Sequence, residues 1–297
     1  MSIAERFATS LDSGSEPRIG LALGGGGARG ITHIHVLAAF DDLGIRPAAI
    51  AGSSIGAMLG AAYAAGMSAR EIEDYALDHL GNSRSVLSHL WRTRAASFAE
   101  FIAEGGFRIG QMNAERVIGE FMPIGMPHTF EELDIPLTVT ATCFYEACGC
   151  NIDEGDLVSA LAASIALPAV FRPVVRDGSI LIDGGICNPL PYDLLADYCT
   201  TTVAVDVTGP PDGSEGRRSV VPTQIDTMMG ASQLMMHAVI EMKRRYDPPG
   251  LLIRPPVSRY RVLDFMRVAS ILKDTAFVRE EAKRDIAALV ETAARAG

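Results

Sequence analysis

Ser54 has neighbours suited to nucleophilic chemistry. Gly52-Ser53-Ser54-Ile55-Gly56 fits G-x-S-x-G, in which the two glycines remove side chains that would collide where a strand and a helix meet around the serine. The spacing selects Ser54 rather than Ser53. The turn holds the Ser54 hydroxyl above the sheet edge, and the following helix offers unpaired N–H groups and a positive dipole end to an anion beside that oxygen. A lone serine is a weak nucleophile, and one such motif arises by chance in a chain this rich in alanine and glycine. Other stretches must decide its use.

Gly25-Gly26-Gly27-Ala28-Arg29-Gly30 satisfies G-x-G-x-x-G, and alone it reads as a dinucleotide fingerprint. That fingerprint expects an acidic residue at the end of the second strand for a ribose hydroxyl, whereas this strand ends in Ala51-Gly52-Ser53-Ser54. No lysine followed by Ser or Thr comes after Gly30, which excludes a P-loop. What remains is an anion nest, with the N–H groups of Gly25, Gly26 and Gly27 aimed at one oxygen. For a serine performing acyl transfer that oxygen is the tetrahedral oxyanion. A side chain at Gly26 is expected to strain a positive-φ position and turn the amides away. Arg29 adds charge, or binds a substrate phosphate or a helix terminus.

The third stretch, Ile180-Leu181-Ile182-Asp183-Gly184-Gly185, puts a carboxylate at the end of an apolar strand. Strand ends of an open parallel sheet share one crevice, so Asp183 faces the elbow. An aspartate with a pKa of ~3.9 is a poor base at neutral pH, and burial beside Ser54 would raise it. A conventional triad is the rival, with Ser54, Asp183 or Asp206, and His237 in the required order. His237 lies within a helical run rather than in a loop after a strand, and is read as structural. His33, His35, His79, His89 and His128 are read the same way. A rival of another class is a nucleotide- or phosphate-binding protein using the Gly25 to Gly30 turn, with Ser54 incidental.

These residues need a scaffold of alternating strands and helices. Arg18 to Leu23 reads as a strand before four glycines, and Ile31 to Leu43 as a helix stopped by Gly44. Ile45 to Ala51 is the second strand, followed by an alanine- and glycine-rich helix ending at Gly66. Ser68 and Glu71 form a capping box for a helix to about Leu80. Met112 to Phe121 is expected to be helical, Pro136 to Tyr145 a central strand, and Leu157 to Ala166 a helix. Asp177-Gly178 marks a hairpin tip between Val174-Val175 and Ile180 to Ile182. Thr201 to Val207 and Leu251 to Ile253 are strands, and Val262 to Arg295 a helical tail. The pattern predicts a three-layer α/β/α fold with a mostly parallel central sheet.

The methionines at 228, 229, 235, 236 and 242 fall in a helix from Thr223 to Tyr246. They are read as core packing, with variable acyl chains or a partner subunit in a homodimer as alternatives. Residues 81–110 interleave apolar side chains with Arg84, Arg92 and Arg94. They read as a helix packed on the sheet, with an amphipathic flap against lipid as the alternative.

Length and charge bound the rest. A chain of 297 residues allows one large α/β domain. Residues 1–17 are expected to be a disordered lead-in and 18–297 a single domain, with the motifs in 19–207 and a helical part in 223–297. A net charge of −10 argues against a nucleic-acid surface. The five cysteines lack a CxxC pair and suggest neither a disulfide framework nor a metal site. No apolar run is long enough to span a membrane, so a cytoplasmic protein is expected, with at most peripheral contact at the inner face of the membrane.

The three motifs, together with Ala163-Ser164-Ile165-Ala166-Leu167-Pro168-Ala169-Val170-Phe171-Arg172-Pro173-Val174, resemble the patatin-like phospholipase family over roughly Ile19 to Val207. The resemblance implies a serine–aspartate dyad in which Ser54 attacks an acyl ester and Asp183 is the base. It also implies an oxyanion hole from Gly25, Gly26 and Gly27, supported by the motif residues Arg29, Gly30, Gly52, Gly56, Gly184 and Gly185. The activity implied is that of a lipid acyl hydrolase without metal or other cofactor.

Overall fold

The structure is a computed structural model that describes residues 17–80, 112–211 and 221–296. The lead-in before residue 17, the 81–110 stretch and residues 212–220 lie outside the described residues.

The chain starts with β1 (Ile19–Leu23), buried along its whole length. Four glycines lead into a 3₁₀ turn at Gly27–Thr32 and then α1 (His33–Leu43), which Gly44 ends in the left-handed conformation at φ 64°. Glycine reaches that region without a Cβ penalty. β2 (Ala49–Ser53) runs into α2 (Ile55–Ala64) through Ser54. The expected capping box opens α3 (Ala69–Leu80), with Ser68 N–H donating to Glu71 Oε2 at 2.8 Å and Glu71 N–H to Ser68 Oγ at 3.3 Å.

Then come α4 (Ala114–Phe121), β3 (Leu137–Cys143), β4 (Cys148–Ile152), α5 (Leu157–Ser164), β5 (Val174–Arg176) and β6 (Ser179–Asp183). The last elements are β7 (Thr201–Val205), α6 (Gln224–Tyr246), β8 (Leu251–Ile253), α7 (Val268–Thr275) and α8 (Val278–Ala296). Three readings change. β4 was not expected. α4 starts at Ala114 rather than Met112, because Asn113 accepts from Arg116 N–H as its N-cap. The tail is broken into irregular chain with a short 3₁₀ turn at Phe265–Arg267, and then two helices.

The strand order is β5-β6-β3-β2-β1-β7-β8, with β4 also on β3. β1, β2, β3, β7 and β8 are parallel, while β4, β5 and β6 run antiparallel to their neighbours. The sheet is therefore mixed and mostly parallel. The register around β3 explains how the site is assembled. Successive residues of a strand turn their N–H and C=O groups to opposite edges. Pro136 O accepts from Ile50 N–H and Phe144 N–H donates to Ile180 O, so even-numbered positions face both β2 and β6. β2 occupies that edge up to Ser53 opposite Thr140, and β6 arrives from the other direction to end with Asp183 opposite Ala141. The two strands run toward each other and their C-terminal tips meet.

The faces are unequal. One core joins Leu21, Leu23, Ile50 and Val139 to α1, α2, α3, α5, α7 and α8. The opposite core is small. Ala22, Ala49, Ala51 and Ala204 lie there under Leu190, Tyr192, Leu195 and Ile240 of α6, their short side chains letting the covering segment come close. The methionine stripe is split: Met228, Met235 and Met242 are 46%, 62% and 59% exposed, whereas Met229 and Met236 are half-buried. α6 packs through Gln233 and Ile240, with Met236 beside them.

Candidate active site

Ser54 links β2 to α2 at φ 53° and ψ −122°, a conformation rare for a residue with a side chain. Two glycines permit the turn by close approach. A Cβ on Gly56 would lie 2.1 Å from Leu23 O, and one on Gly52 2.5 Å from Ala57 Cα. Ser164, at the end of α5, is fully buried and accepts from Ser54 N–H at 2.8 Å, which fixes the elbow from the side.

Ser54 Oγ donates to Asp183 Oδ2 at 2.8 Å with no group between them. Asp183 Oδ1 accepts from Gly185 N–H at 2.7 Å, and Thr142 Oγ1 donates to Asp183 O at 2.9 Å, so both carboxylate and backbone are held. Asp183 is 5% exposed. Burial pushes its pKa up to about 6, against the lowering effects of the Ser54 and Gly185 hydrogen bonds. A carboxylate so tuned is ionised at neutral pH and is a better proton acceptor than a solvated aspartate.

The glycine loop departs from expectation in two respects. Gly25 N–H is spent on Pro189 O at 2.9 Å, so among the three expected oxyanion donors only Gly26 and Gly27 lack a described acceptor. Gly26 has φ 170°, outside the left-handed region. Its side chain is excluded by space, since a Cβ would stand 2.8 Å from Val207 O. The left-handed residue is Gly27, at φ 59°. Around them, Gly24 N–H donates to Val205 O at 3.0 Å and Ala28 N–H to Val262 O at 2.8 Å.

Arg29 is a buried clamp rather than a substrate ligand. Its guanidinium donates to the carbonyls of Tyr260 at 2.6 Å, Thr208 and Gly209, tying the loop after β7 to the chain before α7. Gly30 admits Ile55 of α2, Gly184 admits the Thr140 carbonyl, and Gly185 lies against Met236 of α6. The triad alternative finds no support in the geometry. No described hydrogen bond joins His237 to Ser54 or Asp183, and Asp206 is engaged by Thr208 N–H and by Arg254 at 2.9 Å.

Ser54 opens onto two spaces of very different size. A cavity of about 550 Å³ is lined by Ser54, Ile55, Met58, Leu161, Phe171 and further apolar side chains, and reaches Leu263 and Met266. A second space of about 50 Å³ touches Ser54 and Asp183 and has Ser232, Gln233 and Thr208 in its wall. Among the described residues no group of His, Cys, Asp and Glu side chains is arranged to hold a metal ion.

A sheet with these helical layers and a serine elbow at a strand tip defines an α/β protein of the nucleophile-elbow class. The family model for patatin-like phospholipases matches residues 21–196, more than half of the chain, and the chain belongs to that family. An uncharacterised NTE family protein of Mycobacterium tuberculosis is 36% identical over 199 residues, covering 66% of this chain and 50% of its own length. Patatin-like phospholipase domain-containing protein 6 of Homo sapiens is 32% identical over 192 residues, covering 64% of this chain and 13% of its own. Lysophospholipase NTE1 of Candida glabrata is 26% identical over 280 residues, covering 86% and 15%. The chain thus spans half or less of the length of these relatives. Among solved structures, human GIVD cytosolic phospholipase A2 is similar with a TM-score of 0.46 at 13% identity, over 98% of this chain and 62% of that one.

Proposed function

We propose that the protein hydrolyses a carboxylic ester of a lipid through an acyl-enzyme on Ser54, and that its substrate carries one acyl chain, as a lysophospholipid does. The direct 2.8 Å hydrogen bond from Ser54 Oγ to a buried Asp183 at the mouth of an apolar cavity carries this reading. Asp183 takes the hydroxyl proton as Ser54 Oγ attacks the acyl carbon, and the Gly26 and Gly27 amides receive the oxyanion. Collapse of the tetrahedral intermediate expels the alcohol, which leaves with the proton from Asp183. Water then attacks the acyl-enzyme with Asp183 again as base, the bond from Ser54 Oγ to the acyl carbon breaks as Oγ takes the proton back from Asp183, and the fatty acid departs.

The inequality of the two spaces supports a single chain. The cavity of about 550 Å³ suits an extended acyl group, whereas the second space, of about 50 Å³, leaves little room for another. Leu263 and Met266, which line the cavity and are 44% and 46% exposed, support peripheral contact with a lipid surface at its rim. Among the described residues no helix is long and apolar enough to cross a membrane.

The test compares wild type and Ser54→Ala on a lysophosphatidylcholine and on the matching diacyl lipid, with fluorophosphonate labelling alongside. The expected result is faster hydrolysis of the monoacyl lipid by wild type, with hydrolysis and labelling both lost in the variant. Labelling retained without Ser54 would reject the nucleophile, and a preference for the diacyl lipid would reject the single-chain reading.

A further inference from the structure

Gly24 to Gly27 form a run of four glycines, the residue type that loses most conformational freedom on ordering. Such a run takes its pose from its partners. Three of these are main-chain carbonyls: Val205 O for Gly24 N–H, Pro189 O for Gly25 N–H and Val262 O for Ala28 N–H. Two more are side chains, Thr208, whose Oγ1 donates to Gly25 O at 3.5 Å, and His33. His33 Nε2 lies 2.8 Å from Gly24 O, and because a carbonyl only accepts, Nε2 carries the proton.

His33 sits in the first turn of α1, fully buried, and its Nδ1 has no described partner. The imidazole therefore makes one bond, to the loop. The carbonyl and N–H of a trans peptide point in opposite directions, so His33 and Pro189 grip the Gly24–Gly25 peptide from its two sides. The Ala28 N–H bond to Val262 fixes the Gly27–Ala28 peptide, and Thr208 Oγ1 reaches the Gly25 carbonyl between these two at a longer 3.5 Å. The Gly26 and Gly27 amides lie between these two anchors.

We propose that His33 is a positioning residue for the oxyanion hole, holding the glycine loop so that the Gly26 and Gly27 amides stay directed at the oxygen formed on the Ser54 adduct. This inference rests on the proposed acyl-enzyme function. The role demands a neutral donor, and burial supplies one by pulling the His33 pKa down to about 4, so the imidazole is uncharged throughout the neutral range. A cationic side chain here would meet a high desolvation cost.

The test measures hydrolysis of a soluble acyl ester by wild type, His33→Leu, His33→Asn and His33→Gln, with thermal unfolding of each. Leucine removes the donor, and asparagine is too short to reach Gly24 O. Both are expected to lower kcat by ~10²-fold, the loss typical of a small misplacement in an active site, with KM little changed and fluorophosphonate labelling slowed in parallel. Glutamine, whose amide restores an N–H donor at the required reach, is expected to recover most of the rate. A merely structural role would lower the melting temperature and leave the kcat of folded protein intact. Wild-type kcat in a folded His33→Leu or His33→Asn variant, or no recovery with glutamine, would overturn the proposal. Should leucine prevent folding, the asparagine and glutamine pair decides. Activity persisting in Ser54→Ala would instead fault the underlying function, whereas loss in Ser54→Ala with full activity in His33→Leu would fault this inference alone.

Discussion

The two strands that meet along the β3 edge bring their functional residues in by different means. β2 arrives parallel to β3 and delivers Ser54 through a strained turn at φ 53°, pinned by Ser164 and by glycines that admit neighbouring backbone. β6 arrives antiparallel, as the second strand of a tight hairpin, and ends in Asp183 at an ordinary φ of −46°. On the first side the precision is stored in backbone conformation. On the second it lies in hydrogen bonds to the carboxylate and in its burial. Substitutions on the β2 side should therefore act through geometry, and those on the β6 side through proton affinity.

Asp183→Asn should have the largest effect among the tests of this contrast. The amide keeps a polar group beside Ser54 but cannot take its proton, so acylation should fall by the ~10²–10⁴ typical of general-base loss. In wild type the rate should rise with pH through an apparent pKa near 6 as Asp183 ionises, and this limb should vanish in the variant. A pH–rate profile of both proteins checks it.

Gly26→Val should come next. A branched side chain beside Val207 O would displace the loop and cost ~10²–10³ in kcat, as for a lost oxyanion donor, with no change in the pH midpoint. A shifted midpoint would blur the distinction between geometry and proton affinity.

Smaller effects are expected in stability. Asp183 binds its proton more tightly folded than unfolded, so its contribution strengthens as pH falls through about 6 and is lost as pH rises. His33, with a folded pKa near 4 against 6.5 unfolded, contributes stability that is lost as pH falls from 6.5 toward 4. Each is on the order of 3 kcal/mol at most, with opposite signs. Between pH 6.5 and about 4.5 they should nearly cancel in wild type. Urea unfolding should show His33→Gln gaining stability on acidification and Asp183→Asn losing it. His237→Ala should be nearly silent in rate, the smallest effect of all.

What the sequence disclosed was mostly local. The elbow, the hairpin tip at Asp177-Gly178 and the Ser68 capping box are written in neighbouring residues, and each appears where expected. β4 escaped because Cys148-Gly149-Cys150-Asn151 is largely exposed and has no apolar alternation to mark it. The role of Gly25 escaped because its acceptor, Pro189, is distant in the chain and is a backbone atom that no motif encodes. Arg29 looked like a ligand for a phosphate, as an arginine beside a glycine turn does, until its carbonyl partners beyond residue 207 came into view. The methionines had the spacing of a packed face, but periodicity cannot tell that Met229 and Met236 meet the protein while Met228, Met235 and Met242 turn to solvent.

Val262 lies well past the matched residues 21–196, yet its carbonyl caps Ala28 and leaves no room for a side chain on Gly27. The Arg29 clamp reaches the same segment through Tyr260. Two relatives with identical glycine, serine and aspartate signatures can therefore differ in turnover through drift in a stretch that no signature records. An engineer who trims or exchanges the chain at the border of the recognised region would be redrawing the wall of the proposed reaction centre.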